Sequence, residues 1–230
     1  MKTEKIKIRC NGFQFELEAP QDDYITKILK KTHKFYEQDF LLHLLKKYGS
    51  SIQTDEIIID VGAYIGNHSL FFNRFFNCEV YAFEPNLEIF GILQENCNFR
   101  DIKLHTIALL DSTGFVSMQY KNKNNKGTYR LVEESKKKKR IPIKPLDNME
   151  LSDIALIKID VEGNEAEVLY GAEETIRDNQ PIIVLESWDI IETMNTCGRF
   201  LFNLGYDLQP IFKSKEKQLN LEFTPESFHG

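Results

Sequence analysis

The chain has 230 residues, 42% of them hydrophobic and 28% charged, with a formal net charge of -6. That length suits one α/β domain with its own core, and the acidic balance does not argue for nucleic acid or an anionic membrane as the partner. No apolar run is long enough to span a bilayer, and the opening Met1-Lys-Thr-Glu-Lys-Ile-Lys7 lacks the apolar stretch of a signal peptide. Cys10, Cys78, Cys97 and Cys197 make neither a C-x-x-C pair nor a zinc spacing, so a reducing, cytoplasmic setting is expected.

The first elements are short. Ile6, Ile8, Phe13, Phe15 and Leu17 alternate with polar residues on either side of Asn11-Gly12, a strong hairpin signal. Ile25, Ile28, Leu29, Thr32 and Tyr36 then recur at helical spacing, which predicts a helix over roughly 23–47. From there strand and helix alternate. Glu56 to Asp60 reads as a buried strand, Asn67 to Phe76 as a helix and Glu79 to Phe83 as a strand. Pro85 is placed in the first turn of the next helix, which carries Ile89, Phe90, Leu93 and Cys97. Ile102 to Ile107 is a third strand.

Residues 112–150 interrupt this rhythm and read as a hairpin insertion, with Phe115 to Tyr120 and Ile141 to Ile143 as strands. The lysine-rich segment 121–140 reads as a solvated loop, since no aromatic stacking series interleaves its charges. The rhythm resumes with the strand Ile154 to Asp160, a helix over 164–178, the strand Pro181 to Glu186 and a helix over 190–204. Tyr206 to Phe212 and Leu219 to Phe223 close the chain. The expected fold is a Rossmann-like, mostly parallel seven-stranded sheet with helices on both faces, an N-terminal hairpin and helix, and an antiparallel closing strand, all in one domain.

Ligands of such sheets bind beyond the carboxyl ends of the strands. Asp60, Glu84, Asp160 and Glu186 all fall at such ends. Any one of them has an ordinary structural reading, but four together form a pattern that a purely structural sheet does not need. Gly62 and Gly66 bracket the first strand-to-helix turn, where glycine lets the backbone approach a ligand. The spacing is not G-x-G-x-x-G, because Ala63-Tyr64-Ile65 lies between them, so a dinucleotide is disfavoured. A ligand with an amino-acid part and a ribose suits the turn better, with Glu84 accepting both ribose hydroxyls.

Three segments carry a family resemblance: Ile58-Ile-Asp-Val-Gly-Ala-Tyr-Ile-Gly-Asn-His-Ser69, Ala82-Phe-Glu-Pro85, and Ile157-Lys-Ile-Asp-Val-Glu-Gly-Asn-Glu165 with Val168-Leu-Tyr-Gly-Ala172. They resemble the FkbM-type methyltransferases of the class I S-adenosylmethionine superfamily. The resemblance implies that Asp60, Gly62, Gly66, Asn67 and Ser69 hold the methionine end of the cofactor. Ala63, Tyr64 and His68 belong to the same turn and helix start, and Glu84, with Pro85 beside it, would hold the ribose. Ala108-Leu109 looks like the loop that lines the adenine, and Phe35-Tyr-Glu37 like the family's element before the sheet. Tyr64 stands where the family commonly has Asn, so either the turn differs or the ring points into the active site. Family members mostly methylate oxygen, often on sugars, which implies a small-molecule or glycan acceptor and leaves a homodimer open.

Methylating a hydroxyl requires that its proton be removed. Asp160 or Glu186 could be the base. Alternatively Asp160, Glu162 and Glu186 could hold Mg²⁺ or Mn²⁺, while Glu162 and Glu165 could instead favour the start of the following helix. Lys158 alternates in register with Asp160 and either pairs with a carboxylate or acts as a base. His68 caps, packs or faces the substrate. Trp188 either stacks on a sugar or packs in the core. The competing functions are an RNA ribose 2'-O-methyltransferase using the lysine-rich loop and a non-catalytic binding module. An NAD oxidoreductase is disfavoured by the glycine spacing.

Overall fold

Asn11 and Gly12 both take positive φ, 46° and 82°, the conformation that matches a two-residue turn to strand twist. Strands β1 (Thr3–Cys10) and β2 (Phe13–Pro20) therefore pair with Ile6 opposite Leu17 and Ile8 opposite Phe15, and all four side chains are buried. This computed structural model describes residues 1–98, 101–122, 125–132, 134, 139–213 and 219–228. The helix expected over 23–47 is two helices, α1 (Tyr24–Thr32) and α2 (Gln38–Tyr48). His33 takes φ 52° and closes α1 by returning its N–H to the Leu29 carbonyl. The chain then turns inward and buries Phe35 and Tyr36. The Asn67 side chain holds Tyr36 by both its N–H (3.0 Å) and its carbonyl (3.1 Å).

The alternating region follows as β3 (Ile57–Val61), α3 (Asn67–Phe76), β4 (Glu79–Phe83), α4 (Leu87–Cys97), β5 (Ile102–His105) and β6 (Ala108–Leu109). Pro85 lies two residues before α4, because Asn86 is the N-cap and accepts from the Glu88 N–H at 3.1 Å. The insertion is a separate sheet in which β7 (Gly114–Asn122), β8 (Asn125–Val132) and β9 (Arg140–Lys144) join β6 in the order β6-β9-β7-β8. Part of the expected loop 121–140 is therefore strand, while residues 123–124, 133 and 135–138 of it lie outside the described residues.

The chain returns through β10 (Ile154–Ile159), α5 (Glu165–Tyr170), α6 (Glu173–Asn179), β11 (Ile182–Ser187), α7 (Ile190–Thr193), a π turn (Met194–Gly198), α8 (Arg199–Asn203), β12 (Tyr206–Leu208), β13 (Phe212–Lys213) and β14 (Leu219–Pro225). The helix expected over 164–178 breaks at Gly171. A Cβ there would lie 2.1 Å from the Leu110 carbonyl oxygen, and the Gly171 carbonyl accepts from Asp147 N–H at 3.0 Å.

Seven strands run in the order β12-β14-β11-β10-β3-β4-β5, with β13 added beside β14, and β14 antiparallel to its neighbours. Strand order reverses between β3 and β10, the switch point at which such sheets bind ligands. The period of two sends Ile58, Val80, Ala82, Leu156 and Val184 to one face, against β1, β2 and α1–α4. Ile59, Val61, Ile157, Ile159, Ile183 and Leu185 go to the other face, against α5, α6 and α8. Among the described residues no helix is long and apolar enough to cross a membrane.

Candidate active site

The sheet register builds the charged centre. Lys158 on β10 stands opposite Asp60 on β3 and Val184 on β11, and Val184 stands opposite Glu222 on β14. Two residues further along each strand, on the same face, come Asp160, Glu186 and Asn220, the last two in register with each other. Asp60, Lys158 with Asp160, and Glu186, from three separate strands and their ends, thus converge on one face at the switch point. The Lys158 ammonium sits 3.4 Å from Asp60 Oδ1, 3.4 Å from Asp160 Oδ2 and 3.5 Å from the Gly62 carbonyl. Ser69 donates to the other Asp60 oxygen at 2.6 Å.

These contacts set the protonation states. Burial alone would lower the Lys158 pKa, but Asp60 and Asp160 outweigh it and hold the ammonium charged. Lys158 is therefore placed as a counter-ion to Asp60 and Asp160, in line with the pairing reading of that residue. Burial pushes Asp160 up, but Lys158 and a hydrogen bond with Glu186 more than offset this and keep Asp160 ionised. Glu186 goes the other way: burial and the adjacent Asp160 charge raise its pKa well above the usual carboxylate range. Asp160 and Glu186 thus form a hydrogen-bonded pair that shares one proton.

Above the pair, Glu37 at the start of α2 accepts from Asn220 at 3.1 Å and lies 3.7 Å from His68 Nε2. Burial and Lys158 lower the His68 pKa to about 4, so the imidazole is neutral at pH 7 and its contact with Glu37 is not an ion pair. His68 stacks on Tyr36, and its Nε2 is buried without a hydrogen-bond partner.

The Gly62-to-Gly66 turn has its own logic. Both glycines take φ 83°. A Cβ on Gly62 would fall 1.9 Å from the Asp160 carbonyl oxygen, and one on Gly66 would fall 2.6 Å from Cys97 Sγ. The close approach that requires glycine is made by the protein's own chain. Tyr64 is left-handed at φ 50°, and its ring packs toward the N-terminal core with the hydroxyl near Asp23. Its N–H instead binds Glu84 Oε2 at 3.1 Å, and the Asn86 N–H binds Glu84 Oε1 at 2.7 Å. Each Glu84 oxygen is thereby oriented by a backbone N–H. Beside it lies a narrow, mainly apolar slot between Gly62, Phe83, Pro85, Ala108, Leu109 and Leu131. Asn67 and Ser69, expected at the methionine end of a cofactor, spend their side chains on Tyr36 and Asp60, and Ala63 is buried within the turn.

A second cleft, of about 430 Å³, opens between the loops that follow β10 and β11. Glu162, Glu165, Glu167, Glu186, Asp189 and Glu192 line it, together with Ser187 and Trp188. Trp188 is 66% exposed, so the core reading of that residue is wrong. The expected metal set of Asp160, Glu162 and Glu186 is also not assembled. Among the described residues no group of three or more His, Cys, Asp and Glu is placed to hold a metal ion, and Asp160 is instead engaged by Lys158 and Glu186.

Reading the sequence alone misses Asn220, Glu167, Glu192 and Leu131. Asn220 reaches Glu37 only through the antiparallel register of β14, and nothing local marks it. Glu167 and Glu192 sit in helical patterns where acidic residues are ordinary.

The family model described as the methyltransferase FkbM domain matches residues 60–208. The chain is 30% identical over 156 residues to the hexuronic acid methyltransferase AglP of Haloferax volcanii, a match covering 64% of this chain and 61% of that protein. It is 26% identical over 199 residues to the methyltransferase sdnD of Sordaria araneosa, covering 69% of this chain and 76% of that one. The crystal structure of methyltransferase FkbM from Methylobacillus flagellatus superimposes with a TM-score of 0.58 at 18% identity, over 74% of this chain and 44% of that one. With the switch-point charges and the glycine turn within the matched segment, the chain belongs to the FkbM methyltransferase family.

Proposed function

We propose that this methyltransferase uses S-adenosylmethionine to methylate a hydroxyl of a sugar or glycan, with the Asp160–Glu186 pair taking the hydroxyl proton. The observation that carries this reading is the convergence of Asp60, Lys158, Asp160 and Glu186 at the switch point, with Glu186 lining the 430 Å³ cleft. Two features support the cofactor reading: the Glu84 carboxylate is oriented by the Tyr64 and Asn86 N–H groups at the end of β4, where a ribose would lie, and Gly62, Ala108, Leu109 and Leu131 line a mainly apolar slot beside it, on the side where a base would lie. His68 Nε2, buried without a hydrogen-bond partner, suits the polar methionine end.

The sulfonium supplies an electrophilic methyl group, so that one C–S bond breaks as one C–O bond forms and the hydroxyl proton is lost. Ionised Asp160 receives that proton directly or through Glu186, and Lys158 keeps the site from accumulating uncompensated negative charge. Glu186 faces the acceptor side and orients the hydroxyl. The name of the Haloferax relative, a hexuronic acid methyltransferase, supports a sugar acceptor in general terms. A carboxylate-lined cleft disfavours the RNA reading, because a phosphate backbone would meet like charge there.

The test is calorimetry with S-adenosylmethionine, followed by a glycoside panel read for a methyl mass increment. Binding to the native protein with an affinity about 10- to 100-fold weaker in Glu84→Ala is expected, since that change removes two charge-assisted hydrogen bonds. Absence of binding to the native protein would sink the cofactor reading and leave a binding module on the same fold.

A further inference from the structure

Resting on the reading of Glu84 as the ribose carboxylate, we propose that Tyr64 is a positioning residue for the cofactor: its side chain, lodged against the N-terminal hairpin and helices, fixes the backbone N–H that orients Glu84. Tyr64 stands in the glycine turn at φ 50°, a left-handed conformation that a bulky side chain rarely takes. Such a conformation persists only where the surroundings over-determine the backbone. Here the ring packs against the core that the N-terminal elements share with the sheet. Its hydroxyl meets Asp23, which is 2% exposed and spends Oδ1 on the Ile25 N–H at 2.9 Å as the cap of α1. Asp23 Oδ2 and the Tyr64 hydroxyl are both buried and have no other hydrogen-bond partner among the described residues. Burial and then the adjacent Asp23 charge raise the phenol's pKa, so the hydroxyl stays protonated and turns a donor toward that carboxylate.

The neighbouring positions are tied to the same N-terminal elements by separate contacts. The Asn96 amide on α4 accepts from the Glu18 N–H of β2 at 2.7 Å and donates to the Glu18 carbonyl at 2.9 Å. The same amide donates to the Ile65 carbonyl at 2.7 Å. Asn67 holds both main-chain groups of Tyr36. Positions 64, 65 and 67 are thus fixed, directly or through Asn96, by Asp23, Glu18 and Tyr36, which all precede residue 60, where the match to the family model begins. Tyr64 is the link from this frame to the ribose carboxylate, because its N–H reaches Glu84 Oε2 at 3.1 Å. A hydrogen bond weakens steeply as it bends, so a modest rotation of the Tyr64 peptide would release that oxygen. Asn86 would still hold the other one, at 2.7 Å, so a misplaced Tyr64 loosens Glu84 without freeing it.

Calorimetry with S-adenosylhomocysteine and its 2'-deoxyribose counterpart tests the proposal. The native protein is expected to prefer the ribose form by about 10-fold or more, and Glu84→Ala is expected to lose that preference. Tyr64→Asn places in the turn a residue that accepts the left-handed backbone but removes the ring and its hydroxyl. It is expected to cut the preference to about 3-fold or less, while affinity for the deoxyribose form changes by less than about 2-fold. Asp23→Asn keeps a capping side chain on α1 but removes the charge facing Tyr64, and is expected to lower the preference by about 2- to 3-fold. An unchanged preference in folded Tyr64→Asn, or an equal loss of affinity for both ligands, would overturn the positioning role and leave the cofactor reading intact. Should Tyr64→Asn fail to fold, an unchanged preference in Asp23→Asn would overturn it in the same way. A native protein that binds neither ligand, or binds the two equally, would overturn the reading of Glu84 itself and this inference with it.

Discussion

Lys158 is the residue around which the others make sense. A lone ammonium in a parallel strand would be costly, and here it is offset by Asp60 across the register and Asp160 two positions on. In the proposed reaction this pairing makes Lys158 a counter-ion and assigns the proton to the carboxylate pair. Asp160→Asn is therefore expected to lower kcat by about 10²- to 10³-fold, because it removes the ionised acceptor. Glu186→Gln keeps a donor toward Asp160 and is expected to cost less, about 10-fold, mostly in kcat. Steady-state rates at saturating cofactor check the order, and a larger loss in Glu186→Gln would assign the proton to that side. Asp60, Asp160 and Glu186 were visible in the sequence because strand ends and a period of two are local signals. Their protonation states were not, because these depend on which charges lie across the sheet.

Among the elements, the strand-to-helix turn after β3 shows how one residue type can answer to two demands. Gly62 must be glycine for its φ of 83° and for the 1.9 Å that a Cβ would leave to the Asp160 carbonyl. Gly62→Ala is expected to destabilise the protein by about 3 kcal/mol, combining left-handed strain with overlap. Gly91, inside α4, is the control, because a methyl added there would meet nothing within 4 Å. Gly91→Ala is expected to be neutral or to stabilise by up to about 1 kcal/mol. Urea denaturation of both variants distinguishes this account from a general intolerance of the fold to alanine. The helix boundaries were the least legible part. The α1–α2 break contains neither glycine nor proline, and it exists because Phe35 and Tyr36 gain burial that a continuous helix would deny them. The break at Gly171 follows from the passage of the Leu110 backbone, which lies about sixty residues earlier in the chain.

Across the whole molecule, the two ends of the chain meet at the site. Glu222 on β14, wholly buried, is bound by His43 (2.7 Å), Lys47 (3.1 Å) and Tyr48 (2.9 Å) of α2, while Asn220 holds Glu37. Stability should consequently respond to pH through the groups trapped between these layers. The His68 pKa falls from 6.5 to about 4 on folding, so between these values the unfolded chain binds the extra proton. Stability is thus lost as pH drops from 6.5 toward 4. Glu186, whose pKa is raised, acts in the opposite sense: its contribution is present at low pH and declines as pH rises above its unfolded value of 4.5. Comparison of the native protein with His68→Gln isolates the first effect. The stability difference is expected to shift against the native protein by about 1 kcal/mol per pH unit across that window, read by urea denaturation. A pH-independent difference would show that His68 is not held neutral.

The sequence by itself determined the layered α/β class, the strand ends, the glycine turn with Glu84 and the family resemblance, because each is written in local periodicity or in a contiguous motif. Only the tertiary structure decided that Asp160 and Glu186 share a proton, that Lys158 is spent as a counter-ion, that Asn220 supports Glu37, and that a carboxylate-lined cleft opens beside the pair. Those facts depend on strand register and burial between segments far apart in the chain, and the local pattern of residues carries neither.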